Sequence, residues 1–170
     1  MSKQLSLVIF KPDMFSESDT GGVKNKIKEK FFAALTENGL EVILTGKKFR
    51  FTEKLMQEHY SHVKAYNDGQ RIFDNTQAFM LSGESLPMIV WGPDAIAAVR
   101  KIIGPTREAK TGLRVTSESA FKDSPKNYIH ASGLAKGADP FIEAKQEIAR
   151  FFPNEYKRLV KDPKYKEFFA

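Results

Sequence analysis

Cysteine is absent from the 170 residues. That excludes a disulfide framework and thiolate metal sites, and it agrees with a reducing compartment. No apolar run approaches the roughly 20 residues that a membrane span requires. The apolar run at residues 5–10 is broken at once by Lys11, Pro12 and Asp13, which makes it too short for a signal-peptide core. With no targeting segment evident, a cytoplasmic location without a membrane partner is expected. A Gly-x-x-x-x-Gly-Lys-Ser/Thr loop is also missing, so a P-loop is not what binds phosphate in this chain. Internal repeats and low-complexity runs are absent.

What is there describes an ordinary globular domain. Hydrophobic residues make up 41% and charged residues 28% of the chain, a balance that separates folded from disordered sequences. The formal net charge of +6 favours anionic ligands. It does not choose among nucleotide phosphates, nucleic acid and an acidic membrane surface. Residues 1–153 are expected to form one domain. Residues 154–170, charged with aromatics interleaved, are expected to pack on that domain or on a neighbouring subunit.

Periodicity outlines the elements. Residues 5–10 read as a buried first strand, and residues 14–22, rich in Ser, Asp and Gly, as a loop. Val23, Ile27, Phe31, Ala34 and Leu35 recur at helical spacing, and Asn38-Gly39 stops that helix. Residues 40–51 read as one strand, Thr52 as the N-cap of a helix through Val63, and residues 67–69 as a turn. Residues 72–81 read as a short helix, 86–91 as a third strand and 94–103 as a helix closed by Gly104-Pro105. Residues 106–125 read as a long ordered loop, 128–131 as a fourth strand and 138–152 as a helix. This order suggests an α+β fold, a ferredoxin-like β-α-β-β-α-β sandwich with an antiparallel sheet and added helices. Such a topology hosts many activities, so function must come from particular residues.

Three histidines are present, His59, His62 and His130. His59 and His62 read as solvent-facing or half-buried helix residues with nothing to complete a metal site. His130 ends a short apolar strand and is followed by the small residues Ala131 and Ser132, which can leave it open to a cleft. Taken alone it is more often structural than catalytic. Lys11, stiffened by Pro12, Arg100 and Arg114 each read alone as surface charges. Converging with Thr106 on one histidine, they would grip polyphosphate oxygens, Arg through paired donors and Lys as a point charge.

The motifs now on the page resemble those of the nucleoside diphosphate kinase family. They are Phe10-Lys11-Pro12-Asp13, Glu58-His59-Tyr60, Arg100-Lys101-Ile102-Ile103-Gly104-Pro105-Thr106, Asn127-Tyr128-Ile129-His130-Ala131-Ser132 and Glu143-Ala144-Lys145-Gln146-Glu147-Ile148. They fall in the family's order across residues 5–152. The resemblance implies that His130 is the nucleophile that becomes phosphohistidine. Glu147 orients it, with Ser132 alongside. Lys11, Tyr60, Arg100, Thr106, Arg114 and Asn127 hold nucleotide phosphates and sugar. An aromatic after Tyr60 packs on the base; Phe73 is the nearest candidate, and Ile72 aligns about as well. The implied activity is ping-pong transfer of a γ-phosphoryl group from a nucleoside triphosphate, typically ATP, to a nucleoside diphosphate. Mg²⁺ is carried by the nucleotide phosphates rather than by protein side chains. A homo-oligomer, tetramer or hexamer, is implied as well.

The sequence departs from the family pattern in several places. Asp13 is followed by Met14 where Gly is usual, and extra residues lie around 66–70. The loop 106–114 is shortened and 114–127 lengthened. The family's His-Gly-Ser-Asp is His-Ala-Ser-Gly here, and an insertion at 134–140 precedes the Glu147 helix. The last two bear on subunit contacts and on the geometry of Glu147 and Ser132. Two other readings are a single-strand or RNA-binding module and a catalytically dead nucleotide-sensing domain. The first lacks the aromatic strand pattern of an RNA recognition motif, so nucleic acid is not expected as the main ligand. The second is opposed by the intact His130, Lys11, Arg100 and Asn127.

Overall fold

The computed structural model describes residues 1–15, 23–104, 113, 128–133 and 137–170. Among them the strands are β1 (Lys3–Phe10), β2 (Glu41–Thr45), β3 (Phe49–Arg50), β4 (Glu84–Pro93) and β5 (Ile129–Ala131). The helices are α1 (Val23–Glu37), α2 (Glu53–Tyr60), α3 (Gly69–Leu81), α4 (Ala95–Ile103), α5 (Pro140–Phe151), α6 (Pro153–Lys161) and α7 (Lys166–Phe169). Short 3₁₀ turns at Pro12–Met14, Ser61–Ala65 and Pro163–Tyr165 link them.

The sheet runs β2-β4-β1-β5, with β3 also on β4, and every pairing is antiparallel. This is the α+β, ferredoxin-like order that the sequence suggests. β1 lies between β4 and β5, and seven of its eight residues are buried. Its alternation splits the core in two. Leu5, Leu7 and Ile9 point to one side, where they join Ile89 and Trp91 of β4 and residues of α2, α3, α5 and α6. Val8 and Phe10 point to the other, with Ile27, Phe31 and Leu35 of α1 and Val99 and Ile103 of α4. A strand that serves two helix layers must be apolar on both faces, which is why residues 5–10 show a run rather than an alternation.

The segment expected as one strand over 40–51 is two. Between them Gly46 donates to Pro87 O at 2.9 Å. A Cβ there would meet Pro87 Cγ at 2.8 Å and Phe152 at 3.2 Å, so the chain leaves the ladder where only glycine fits. The helix expected to run to Val63 ends at Tyr60 and tightens into the 3₁₀ turn. Thr52 caps it as anticipated, its Oγ1 accepting from Leu55 N at 3.1 Å. The fourth strand of the sequence reading is β5, and α5 begins at Pro140, with Asp139 Oδ1 accepting from Phe141 N at 2.8 Å. The loops expected at 14–22 and 106–125 lie largely outside the described residues, as does part of the 134–140 insertion.

The C-terminal segment packs on its own domain. The Tyr165 ring meets Trp91 edge-on at 4.8 Å, and Phe168 joins the core beneath β1. No helix among the described residues is long and apolar enough to cross a membrane.

Candidate active site

The site grows from the register of β5 on β1. His130 pairs with Ile9, so its side chain faces the Leu7–Ile9 side, while Ile129 and Ala131 face the other core. Lys11 lies two residues beyond Ile9 in extended conformation, and its N–H donates to Tyr128 O at 2.8 Å. Lys11 and His130 are therefore diagonal neighbours on one face. Both are buried. Tyr128 holds φ of 62°, an unusual conformation for a bulky residue that persists only where its surroundings impose it. Its N–H donates to Asp13 Oδ2 at 3.1 Å. Beyond His130, Ser132 N donates to Leu7 O at 3.0 Å, and Ser132 Oγ accepts from Leu7 N at 3.1 Å.

α5 supplies the carboxylate. Its buried residues Ala144, Glu147 and Ile148 share one face. Glu147 Oε2 lies 2.9 Å from His130 Nε2. Tyr60, at the end of α2, places its ring 5.7 Å from the His130 ring. On α4, Arg100 Nη1 donates to the Gly133 carbonyl. Gly133 has φ of +87°, and a Cβ on it would meet Ile96 at 2.9 Å and Arg100 at 3.3 Å. Glycine at that position therefore accommodates both the turn and the arginine lying across it. Phe73 is buried in the core with the Lys64 ammonium 4.3 Å above its ring, whereas Ile72 is half-buried. Thr106, Arg114 and Asn127 lie outside the described residues.

Two participants escaped the sequence reading. His59, expected at the surface or half-buried, is buried at 4% exposure. Met56, His59 and Tyr60 form the inward stripe of α2, and this stripe carries His59 against the centre. Its Nε2 lies 3.2 Å from His130 Nε2 and 3.3 Å from Glu147 Oε2. On its other nitrogen, Nδ1, it accepts from Arg150 Nη1 at 2.9 Å. Glu147 and Arg150 are three apart on α5, hence on one face. That spacing was the available signal.

Burial, above all, drives the His59 pKa well below 6.5, and His130 and Arg150 push the same way. Burial likewise raises Glu147 above 4.5, against the pull of His59, the Ser132 hydroxyl and Arg150. His59, His130 and Glu147 could in principle hold a metal ion, since their ligand atoms all lie within 4.8 Å of one another. Arg150 argues otherwise. A guanidinium only donates, so His59 Nδ1 is the acceptor and its proton resides on Nε2, the atom a metal would need. The three groups form a hydrogen-bonded centre instead.

An antiparallel α+β sandwich with a buried histidine–carboxylate pair beside a strand-end lysine has the parts that nucleophilic or acid–base chemistry requires. The chain belongs to the nucleoside diphosphate kinase family, a family of enzymes, whose model matches residues 4–156. It is 28% identical over 153 residues to the nucleoside diphosphate kinase of Methanocaldococcus jannaschii, covering 90% of this chain and 96% of that one. With the Helicobacter pylori enzyme of the same name it shares 31% over 151 residues, covering 88% and 96%. Among solved structures, the Aquifex aeolicus nucleoside diphosphate kinase superposes with a TM-score of 0.64 at 28% identity, covering 91% of this chain and 99% of that one.

Proposed function

We propose that this protein transfers the γ-phosphoryl group of a nucleoside triphosphate to a nucleoside diphosphate through a phosphohistidine at His130. The observation that carries the reading is the 2.9 Å contact between His130 Nε2 and Glu147 Oε2, on the face that also holds Lys11. A carboxylate on Nε2 keeps the proton there and leaves the lone pair on Nδ1, the attacking atom. In the first half-reaction an Nδ1–P bond forms as the bond from Pγ to the bridging oxygen breaks, and the diphosphate departs. The second half-reaction reverses this with a new diphosphate, so the kinetics are ping-pong.

Phosphoryl transfer asks the protein mainly for placement and charge. Lys11 and Arg100 supply positive charge, and Arg100 also holds the backbone after Ser132 through Gly133. Thr106, Arg114, Asn127 and Tyr60 complete the nucleotide site on the strength of the family resemblance. The substrate is the magnesium complex of the nucleotide. Contacts confined to phosphate, sugar and one face of the base leave base identity loosely read, so purine and pyrimidine diphosphates should turn over within a few orders of magnitude of each other. A homo-oligomer belongs to the same proposal, and light scattering reads it.

The test is to incubate the protein with Mg²⁺ and ATP labelled in its γ-phosphate, quench in alkali, and compare His130→Ala. Alkali-stable, acid-labile label on the wild type alone, discharged by GDP, supports the reading. A folded wild type that takes no label overturns it in favour of a nucleotide-sensing domain.

A further inference from the structure

We infer that Arg150 is a positioning residue that sets the protonation pattern of the nucleophile without touching it, through His59 and Glu147. The inference rests on the phosphohistidine reading for its kinetic consequence, while its structural core stands on the geometry alone.

The chain of donors follows from what each group can do. Arg150 has donors only, so its 2.9 Å contact to His59 Nδ1 fixes that nitrogen as the acceptor. His59 is then an Nε2–H tautomer. That proton has two neighbours, Glu147 Oε2 at 3.3 Å and His130 Nε2 at 3.2 Å. If it went to His130, His130 Nε2 would be an acceptor facing the Glu147 oxygen at 2.9 Å. With Glu147 ionised, two lone pairs would then meet at hydrogen-bond distance with no proton between them. The arrangement that leaves no two lone pairs facing each other among these three groups has both imidazoles directing their protons to Glu147 Oε2. His130 then carries its proton on Nε2 and its lone pair on Nδ1.

Without Arg150, His59 is free to move its proton to Nδ1. Its Nε2 becomes an acceptor 3.2 Å from His130 Nε2 and competes with Glu147 for the same proton. Glu147 loses one of its two imidazole partners and a nearby positive charge. The groups facing this centre are His59 and Tyr60 from α2, His62 from the turn after it, Lys11 beyond β1, His130 and Ser132 from the β5 segment, and Arg150 from α5 itself. Of the two cations, Lys11 lies diagonal to His130 across the strands and Arg150 contacts His59 directly, so removal of Arg150 makes the centre easier to protonate.

The substitutions are Arg150→Met, which keeps the bulk of the side-chain stem without donor or charge, and Arg150→Lys, which keeps both donor and charge. Two readouts apply. Ring ¹⁵N shifts of His59 in the wild type should show the Nε2–H tautomer, with Arg150→Met losing it and Arg150→Lys restoring it. The acidic limb of kcat/KM should move up by about one pH unit in Arg150→Met, return in Arg150→Lys, and leave KM for the diphosphate little changed. A wild-type His59 protonated on Nδ1, or an acidic limb that stays put in a folded Arg150→Met, overturns the proposal. If the wild type forms no phosphohistidine, the kinase reading falls, and the tautomer measurement still decides whether Arg150 governs His59.

Discussion

The main-chain N–H of Tyr128 donates to the carboxylate of Asp13 at 3.1 Å, joining the turn after the first strand to the residue that leads into the last. The left-handed conformation of Tyr128 is held between this bond and the one its carbonyl accepts from Lys11. Asp13→Ala should therefore release Tyr128 and loosen β5, costing about 1–2 kcal/mol in urea unfolding. Turnover should drop further than that loss of stability explains, because His130 is two residues on. Unchanged turnover in the folded variant would mean that β5 is held without Asp13.

Glu147 opposes stability and supports activity. Its raised pKa means that the folded state keeps a proton that the unfolded chain releases above about 4.5. Its contribution to stability is greatest below that value and is lost as pH rises from 4.5 toward the folded pKa. Glu147→Gln removes the buried charge and keeps an oxygen for His130. It should melt at a higher temperature than the wild type at neutral pH, while kcat falls about a hundredfold or more. A lower melting temperature with intact folding would contradict the burial argument.

His59 titrates in the opposite sense. Its pKa is depressed well below 6.5, so the unfolded chain takes up a proton near 6.5 that the folded one refuses. Stability is intact above 6.5 and is lost as pH falls below it, at up to about 1.4 kcal/mol per pH unit for one proton. Gln at position 59 can still accept from Arg150 and donate to Glu147 but does not titrate. Chemical unfolding of His59→Gln between pH 7 and 5 should show a flatter decline than the wild type, and parallel curves would exclude His59 as the source.

The C-terminal segment contributes core rather than decoration. Phe168 is 4% exposed and Tyr165 stands against Trp91, the one tryptophan of the chain. Phe168→Ala should cost about 3 kcal/mol. The buried indole emission should shift to the red at lower denaturant, and an unshifted transition would show that the segment is dispensable.

The sequence made most of the fold legible, for identifiable reasons. The doubly buried β1 showed as an unbroken apolar run, α1 as a clean helical stripe, and Thr52 as a cap whose chemistry is local. The break at Gly46 did not show, because it depends on Pro87 and Phe152 arriving from distant parts of the chain. At the site, His130 and Glu147 are brought together and the centre around them includes Tyr60, all three flagged by motifs. His59 stands inside the same motif as Tyr60, but its burial follows only from the stripe that Met56 and Tyr60 complete. Arg150 belongs to no motif; only its place three residues after Glu147 on a packed helix could have pointed to it. The departure at Gly133 also acquires a reason, since its positive φ and the overlying Arg100 leave little room for a side chain.

β1 is made early and completed late. Its hydrogen-bonding partners are β4, at Glu84–Pro93, and β5, at Ile129–Ala131. While the ribosome is still translating the residues between, Leu5, Leu7 and Ile9 have no sheet to enter and their apolar side chains face water or whatever shields the nascent chain. Long-range pairings of this kind fold slowly and expose strand edges while they wait. The yield of this protein in a cell should accordingly depend on chaperone capacity and on the pace of translation through the middle of the message, even for variants whose finished fold is fully stable.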